Sequence, residues 1–318
     1  MIRDYQTSDF PDLLEISKHI WKGEDYLPRR INEYVKDPNS HPMVVLANGK
    51  VVSIANLRFL SSNIAWLEAI RSHPDVRGKG YGTKLTQAML DKAKSLGAEE
   101  AWLLSNVENI AAQRIIEKMG FNEMGHINMW PDWKIMSASL KQLNVTNSHI
   151  SKNSQGKDDL SALDLKEGET PYNQLVNSLS LSSKAKQLSK SWKQCQSMEE
   201  VTAVVSNLSK GGFAHLVVGE FIVYPANSQI VERKVKKGSV YYLKDPPALM
   251  TLQKSGEIER GTGVGLNTNS LLALEAALDY MNETWPNLIY WLFYPNSLNH
   301  PNIKPGFHLQ RVMRKSLI

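Results

Sequence analysis

The stretch Ile64–Leu96, IAWLEAIRSHPDVRGKGYGTKLTQAMLDKAKSL, decides how the first half of the chain is interpreted. The apolar run Ile64–Ile70 predicts a buried strand, and a helical pattern of apolar residues begins near Thr83. Between them lies a glycine loop, Arg77–Gly82, with two basic residues. Free N–H groups of such a loop and of the first helical turn point to one spot, at the positive end of the helix dipole. The stretch therefore predicts a phosphate-binding loop.

The composition of the whole chain sets broad limits. Its 318 residues are enough for about two domains, with 37 basic and 32 acidic side chains, a net charge of +5 and a single cysteine, Cys195. One cysteine excludes an intramolecular disulfide framework and suits a reducing compartment. The basic run Glu232–Lys237 lacks interleaved aromatic residues, which favours a solvated turn over a nucleic-acid patch.

Two further classes of function are not supported by the pattern of residues. No apolar run approaches the ~18 residues that a membrane span needs. No group of His, Cys and Asp residues has the spacing of metal ligands, so no metal is expected. We therefore expect a cytoplasmic protein that binds neither a membrane nor nucleic acid.

Local signals predict strands and helices around the glycine loop. Thr7–Asp9 offers an N-cap for a helix, Pro28 is placed to start a second one, and Asn48-Gly49 is a strong hairpin signal. The strands are expected at Ile2–Tyr5, Met43–Ala47, Val51–Leu60, Ile64–Ile70, Ala101–Leu104 and, as two strands, within Asn122–Leu140. The helices are expected at Leu13–Ile20, Pro28–Lys36, Thr83–Leu96 and Asn109–Met119.

The composition changes to Ser, Asn, Lys, Asp and Gly from Asn144 to about Glu169, which is typical of a linker. We therefore expect a first domain at residues 1–140, a flexible linker at 141–169 and a second α/β domain at 170–318. In the second domain, helices are expected within Gln174–Leu208 and at Leu271–Met281, and strands within Phe213–Pro225 and at Val240–Leu243, Leu288–Tyr294 and Phe307–Met313.

A weak internal repeat links the two halves. Arg77–Gly82 and Arg260–Gly265 share the pattern R-G-x-G-x-G, and each is followed by a predicted helix, an apolar strand and a Gly-Phe pair. We interpret the repeat as a duplicated α/β unit. The segment before Arg260 is too polar for a central strand, and whether the second loop binds a ligand stays open.

Three kinds of phosphate loop could explain Arg77–Gly82. A Walker A loop ends in Gly-Lys-Ser/Thr, whereas Gly82 is followed by Thr83 and Lys84, the reverse order. A Rossmann fingerprint is G-x-G-x-x-G in the first βα turn, whereas this chain has G-x-G-x-G after several elements, and no acidic residue is placed for a ribose. The third kind is an R-x-x-G-x-G/A loop, which this segment matches.

The loop and its surroundings resemble the GNAT superfamily of N-acetyltransferases over roughly Met1–Leu140. The order of the predicted elements is similar to that family, and Glu117–Phe121 resembles its E-K-x-G-F close. The resemblance implies an α/β (α+β) domain with the GNAT fold, a mixed and mostly antiparallel central sheet flanked by helices. The second domain is then interpreted as a degenerate GNAT-like repeat.

The resemblance also implies acetyl-CoA as co-substrate. Its pyrophosphate would lie on the loop N–H groups, and its pantetheine would pair like an extra strand with the residues before the loop. A backbone N–H near Ile70 or Arg71 would polarise the thioester carbonyl, and Asn109 matches a family position that contacts the cofactor. The residues implied in acetyl-CoA binding are Ile70, Arg71, Ser72, Arg77, Gly78, Lys79, Gly80, Tyr81, Gly82, Thr83 and Asn109.

Acetyl transfer to an amine needs a proton acceptor, because the amine is mostly protonated at neutral pH. Glu68 is the candidate general base, since it is a carboxylate in an otherwise apolar strand and resembles the base of many family members in position. The alternative is a glutamate on the solvated face of an edge strand. The tyrosine that serves many family members as general acid is replaced by Ile116, so the group that protonates the leaving thiolate stays open.

Contacts to the acceptor are expected from the loop between the first two helices, at Asp25, Tyr26 and Arg29. A tight proline turn explains the same residues equally well. Within the family, Gly23–Arg30 and Leu67–Arg71 resemble the branch that contains histidine N-acetyltransferase and probable N-acetyltransferase 16.

The leading hypothesis is an acetyl-CoA-dependent N-acetyltransferase, a transferase that moves an acetyl group to the amine of a small molecule. A free amino acid such as histidine is the candidate acceptor. A protein or peptide N-acetyltransferase and a non-catalytic acyl-CoA-binding regulator are the alternatives. The oligomeric state stays open.

Overall fold

The computed structural model describes residues 1–23, 25–130, 175, 178–210, 228–252, 262–285, 290–295, 298 and 310–318. These residues form two compact units: the first unit is Met1–Gly125 with Arg311–Ile318, and the second unit is His126–Gln310. The linker expected at 141–169 and the strands expected at 213–225 lie outside the described residues.

The helices and strands are numbered along the chain. The strands are β1 (Ile2–Asp4), β2 (Ser40–Ala47), β3 (Lys50–Phe59), β4 (Ile64–Ser72), β5 (Glu100–Asn106), β6 (Asn122–Trp130), β7 (Lys193–Gln194), β8 (Val240–Leu243), β9 (Ala248–Leu252), β10 (Thr262–Thr268), β11 (Tyr290–Pro295) and β12 (Gln310–Ser316). The helices are α1 (Phe10–Ser17), α2 (Leu27–Lys36), α3 (Tyr81–Ser95), α4 (Ile110–Lys118), α5 (Ser183–Ser189), α6 (Met198–Lys210), α7 (Ser228–Lys236) and α8 (Leu271–Thr284). No described helix is both long and apolar enough to cross a membrane.

The first unit is a mixed sheet covered by helices on both faces. Strands β1 to β4 are antiparallel neighbours, and β4 pairs in parallel with β5. Alternate residues of the strands enter two separate cores, as the pleat requires. Val44 and Ile54 pack with the apolar sides of α1 and α2, whereas Val45 and Ala55 pack with Leu85 of α3 and its neighbours. The mostly antiparallel sheet expected from the sequence is confirmed.

The last residues of the chain complete the sheet of the first unit. The strand order is β1-β2-β3-β4-β5-β12-β6, so β12 lies between β5 and β6. Val312, Met313 and Leu317 are buried, and Arg311 donates to Gln113 at 2.5 Å and Glu123 at 2.7 Å. Arg311–Ile318 therefore belong to the first unit, because the terminal strand buries its apolar residues there. The boundaries expected at 140 and 170 stay a prediction.

The contribution of this terminal strand to stability can be measured locally. Met313→Ala should lower the free energy of opening of the first unit by ~2–5 kcal/mol, because it leaves a cavity in a core where Met313 is 2% exposed. Hydrogen exchange of peptides covering β5, followed by mass spectrometry on the full chain, should become faster. Ile318→Ala is the control, since Ile318 is 91% exposed. Unchanged exchange of β5 in Met313→Ala would contradict this role.

The second unit contains a sheet whose order is β11-β10-β9-β8-β7. Met250 and Leu266 belong to a core with α8, whereas Leu249 packs with residues of α6 and α7. The end of β6, from Ile127, pairs with β11 in antiparallel fashion. Helix α8 begins after Ser270, whose Oγ accepts the N–H of Ala273 at 3.3 Å and so caps the helix.

The described part of the second glycine pattern is a strand and not a loop, and this corrects the alignment behind the predicted repeat. Its described part, Thr262–Gly265, lies in β10, where it pairs in parallel with β11 and, from Val264 on, antiparallel with β9. Val264 and Gly265 are thus paired on both sides, so their backbone groups serve the sheet ladders and cannot form a phosphate cradle. The order of elements nevertheless agrees between the two units. Strands β3 and β4 form an antiparallel pair, followed by α3 and by β5, which is parallel to β4. Strands β9 and β10 likewise form an antiparallel pair, followed by α8 and by β11, which is parallel to β10. β10 therefore corresponds to β4, and the GNAT-like origin of the second unit stays a prediction.

Candidate active site

Strand β4 is irregular where the parallel pairing with β5 ends. Ile54 pairs with Arg71 and Asn56 with Glu68, so β4 carries one extra residue, a β-bulge. Ala69 within it has a left-handed φ of 56°, an uncommon conformation for a residue with a Cβ. The pairing of β4 with β5 extends only over Ile64–Trp66. Past the bulge, the β5-facing edge of β4 therefore has no strand partner within the described pairings.

The predicted phosphate loop follows directly from this open edge. His73 caps a short 3-10 turn, Pro74–Val76, by accepting the N–H of Asp75 on its Nδ1 at 3.3 Å. Gly78 and Gly80 then have φ values of 78° and 81°, and an added Cβ at either would meet no protein atom within 4 Å. Glycine is required here because of its backbone conformation, and the space beside it is open to a ligand.

The loop ends at the N-terminus of α3, where unused backbone donors are gathered. The first intrahelical bond runs from the Lys84 N–H to the Gly80 carbonyl at 3.0 Å. The N–H groups of Tyr81, Gly82 and Thr83 therefore lie ahead of the helical ladder, at the positive end of the dipole. The expected helix start near Thr83 is two residues late, because Gly80 rather than Gly82 is the N-cap.

Two lysines and an arginine surround this N-terminus, and all three are exposed: Arg77, Lys79 and Lys84. Gly82 faces inward instead. A Cβ there would lie 3.2 Å from Cδ1 of Ile115, so its small size serves the packing of α3 against α4. The loop thus combines positive charge, free N–H groups and a close helix contact, which suits an anionic ligand.

Glu68 lies on β4 immediately before the bulge, and its side chain is only 15% exposed. Asn56 donates to one of its oxygens at 2.9 Å, and Arg58 donates to the other at 3.3 Å. Because it is largely buried and both of its oxygens accept hydrogen bonds, this carboxylate does not lie on a solvated face. The sequence did not indicate Asn56 or Arg58, because strand alternation alone does not pair residues 10 or more positions apart.

A buried tyrosine from α2 shares this region. The hydroxyl of Tyr34 has no hydrogen-bond partner among the described residues, and Arg30 lies over its ring at 5.3 Å. Burial raises the pKa of Tyr34, and the negative charge of Glu68 raises it further. An unsatisfied buried hydroxyl is uncommon in a folded protein and marks a place for a ligand or water.

The loop between α1 and α2 is held against β4 by a buried ion pair. Asp25, whose side chain is fully buried, accepts from Nε and an NH2 group of Arg71 at 3.2 Å each. It also accepts from the Ser17 hydroxyl at 3.1 Å and the Leu27 N–H at 3.2 Å. Asp25, one of the predicted acceptor contacts, therefore joins the loop between α1 and α2 to the strand that also carries Glu68.

Two aromatic rings cover the guanidinium of Arg71. Its Cζ lies 4.8 Å from the ring centroid of Trp21 and 5.3 Å from that of Tyr26, within cation–π range. Trp21 and Lys22 both have left-handed φ values, of 46° and 58°. This strained turn holds Trp21 over the ion pair, and no local pattern in the sequence had indicated it.

The remaining predicted residues have other surroundings. Arg29 is exposed and joins none of the contacts above. Asn109 caps α4 by accepting the N–H of Ala112 at 3.1 Å, while Asn106 accepts the N–H of Glu108 at 2.8 Å. Ile116 is 4% exposed in the core beside α3, so α4 offers no hydroxyl at that position.

Comparisons with known proteins match the first part of the chain. Residues 2–121 match the model of the Acetyltransferase (GNAT) family. Histidine N-acetyltransferase of Oreochromis niloticus is 30% identical over 88 residues, 27% of this chain and 26% of that protein. N-alpha-acetyltransferase 30 of Schizosaccharomyces pombe is 44% identical over 62 residues, 20% of this chain and 39% of that protein.

A third relative, probable N-acetyltransferase 16 of Homo sapiens, is 29% identical over 119 residues, 35% of this chain and 32% of that protein. The chain thus spans less than half the length of each of these three relatives. The resemblance expected from the glycine loop is confirmed. The chain contains an acetyltransferase domain of the GNAT family at residues 2–121.

Proposed function

We propose that the protein is an acetyl-CoA-dependent N-acetyltransferase whose acceptor is the amine of a small molecule. The observation that carries the proposal is that one strand, β4, bears a largely buried carboxylate, ends in an open edge and leads into a loop that suits an anion. Acetyl-CoA supplies the acetyl group. Glu68, Asn56 and Arg58 lie on the α2 side of the sheet, and Gly78–Thr83 follow the same strand.

The residues of the loop fit the diphosphate of the co-substrate. The N–H groups of Tyr81–Thr83 and the cations Arg77 and Lys79 would hold it, since donors and charge converge there. The open edge at Ile70–Ser72 would take an amide-bearing chain as a further strand. Asn109 would serve this site through its amide nitrogen, because its side-chain oxygen caps α4.

Glu68 would take the proton of the acceptor ammonium and so free the amine for attack. A positioned carboxylate in this role contributes typically ~10²–10⁴-fold to the rate. Asn56 and Arg58 hold its two oxygens, which fixes the direction of the remaining lone pairs. The leaving thiolate would take its proton from solvent, since Ile116 offers none.

A free amino acid of the histidine kind is the acceptor that we favour. Support comes from the similarity to histidine N-acetyltransferase and from the acceptor loop, where Asp25 and Tyr26 form a compact polar and aromatic wall with Arg71. The similarity to N-alpha-acetyltransferase 30 favours a second candidate, an acceptor at the N-terminus of a peptide.

One experiment separates these acceptors. Release of CoA from acetyl-CoA should be measured with the purified full chain and a panel of free amino acids, including histidine, beside short peptides with free N-termini. Turnover with amino acids alone supports the proposal, and turnover with peptides alone supports the second candidate. Tight binding of acetyl-CoA without turnover on any amine would identify a non-catalytic acyl-CoA-binding protein.

Gly80→Ala should weaken acetyl-CoA binding by roughly tenfold, as measured by isothermal titration calorimetry. A residue with a Cβ at the φ of 81° costs about 1–2 kcal/mol, and the loop would relax away from its cradle. Gly97→Ala is the matched control, since Gly97 has a φ of 93° with equally open space but follows the other end of α3. Equal loss of affinity in both variants would contradict a local role of the loop.

A further inference from the structure

Three side chains that can bind a metal ion meet at the entrance to the glycine loop. Glu15 lies on α1, His19 follows the end of α1, and His73 stands between β4 and the Pro74–Val76 turn. One ligand atom of each lies within 4.8 Å of the ligand atoms of the other two. Among the described residues, no other group of three or more His, Cys, Asp or Glu side chains meets this distance.

The two imidazole rings lie close to each other. Nδ1 of His73 accepts the N–H of Asp75 at 3.3 Å. Binding of an ion through Nε2 would move the ring proton to Nδ1, which would then donate to the Asp75 carboxylate, whose Oδ2 lies 3.7 Å away. Nε2 of His19 lies 3.8 Å from Oε1 of Glu15. The rings meet edge to face, with centroids 5.2 Å apart.

The charges around the group favour a cation. Asp75 adds a carboxylate oxygen 3.7 Å from Nδ1 of His73. Lys18 opposes it by pairing with Oε2 of Glu15, but Oε1 of the same carboxylate faces His19. The side chains of Glu15, His19 and His73 are 52%, 43% and 24% exposed, so an ion and a water ligand can reach them.

We propose that Glu15, His19 and His73 bind a divalent transition-metal ion of the Zn²⁺ class in an open three-ligand site. Two imidazoles and a carboxylate suit such ions, with bonds of about 2.0–2.2 Å and ligand atoms therefore roughly 3.3 Å apart. The ligand atoms, now within 4.8 Å of one another, reach this separation by rotation of the exposed side chains. A water molecule is the fourth ligand of the ion. A bound ion joins α1 to the residue that opens the glycine loop.

The site was invisible in the sequence. Glu15 and His19 have helical spacing, but His73 follows a strand that is distant in the chain. The expectation of no metal rested on spacing alone. The inference concerns a group outside the acetyl-transfer residues Glu68 and Gly78–Thr83, and it does not depend on the proposed function.

The test uses the full chain without an affinity tag, because a polyhistidine tag would bind the same ions. Zn²⁺ is titrated by calorimetry, and Co²⁺ is titrated with detection of its visible absorption bands. We expect one equivalent to bind, with tetrahedral-type Co²⁺ bands that Zn²⁺ displaces. His19→Ala and His73→Ala should each weaken Zn²⁺ binding by at least ~10-fold, the loss seen when even an outer-shell partner of a ligand is removed.

His126→Ala is the matched control, since His126 belongs to the second unit, and its Zn²⁺ affinity should equal that of the wild type. Circular dichroism of each variant shows whether it is folded, and Glu15→Gln, a substitution on the exposed face of α1, gives an independent variant. Absence of Zn²⁺ binding by the wild type, or equal affinity in the His19, His73 and His126 variants, would overturn the proposal.

Discussion

Glu68→Gln should lower kcat by about 100- to 1,000-fold while the affinity for acetyl-CoA stays unchanged. The amide keeps the shape of the carboxylate but cannot accept a proton from the acceptor ammonium, and loss of general base catalysis has this magnitude. Initial rates of CoA release at saturating amine, together with calorimetric titration of acetyl-CoA, measure the two quantities separately.

A loss of kcat without a loss of affinity for acetyl-CoA distinguishes a chemical role of Glu68 from a structural one. Because Asn56 and Arg58 both donate to this carboxylate, the substitution could also disturb the strand, and thermal unfolding of the variant checks that. Glu117→Gln is the control, since Glu117 is exposed on α4, and its kcat should equal that of the wild type. Undiminished kcat in Glu68→Gln would remove Glu68 from the mechanism.

Asp25→Ala should destabilise the first unit by about 3–5 kcal/mol, because it leaves the guanidinium of Arg71 shielded and without its carboxylate. The side chain of Asp25 is fully buried and that of Arg71 only 12% exposed, so water cannot replace the lost partner freely. Urea unfolding of the full chain, together with hydrogen exchange of peptides from α1 and α2, measures the loss.

A double-mutant cycle assigns the effect to the pair. Asp25→Asn and Arg71→Met are combined, and the double variant should be more stable than the sum of the single losses predicts, since neither charge is then left alone. Glu232→Gln is the control, because Glu232 and Lys236 form an exposed pair on α7 and its removal should leave the unfolding midpoint unchanged. Additive losses at Asp25 and Arg71 would contradict the coupling.

The same pair should also affect catalysis. Asp25 holds the loop between α1 and α2, on the proposed acceptor side, whereas Arg71 belongs to the strand that leads to the glycine loop. Since the pair joins the two, we expect Asp25→Asn to raise the KM for the amine more than the KM for acetyl-CoA.

Much of the first unit could be predicted because its signals are local. Pro28 lies at the start of α2, and the turn Asn48-Gly49 joins β2 to β3 with φ values of 51° and 75°. Gly80 and Gly97 bound α3 with left-handed conformations that glycine adopts without strain. Each of these features depends on the backbone dihedral angles of a few neighbouring residues. The residue types at those positions determine which angles are favoured.

The second glycine pattern shows where this reasoning fails. The same pattern forms a loop at Arg77–Gly82 and a strand at Thr262–Gly265, because β11 pairs with all of the latter and β9 pairs with it from Val264 on. Glycine permits either conformation, so the partners decide. The terminal strand β12 was likewise assigned to the second half by its position in the chain, whereas its buried residues Val312 and Met313 complete the first unit.

The sequence by itself determined that an apolar strand bearing Glu68 runs into a glycine loop and a helix, because strand alternation, glycine conformations and helix caps are short-range properties. Only the tertiary structure decided what surrounds that carboxylate and that loop. Asn56 and Arg58 reach Glu68, Asp25 reaches Arg71, and Glu15 and His19 approach His73, through packing between separate elements of the chain. Such contacts depend on which faces bury apolar surface together, and no spacing along the sequence encodes them.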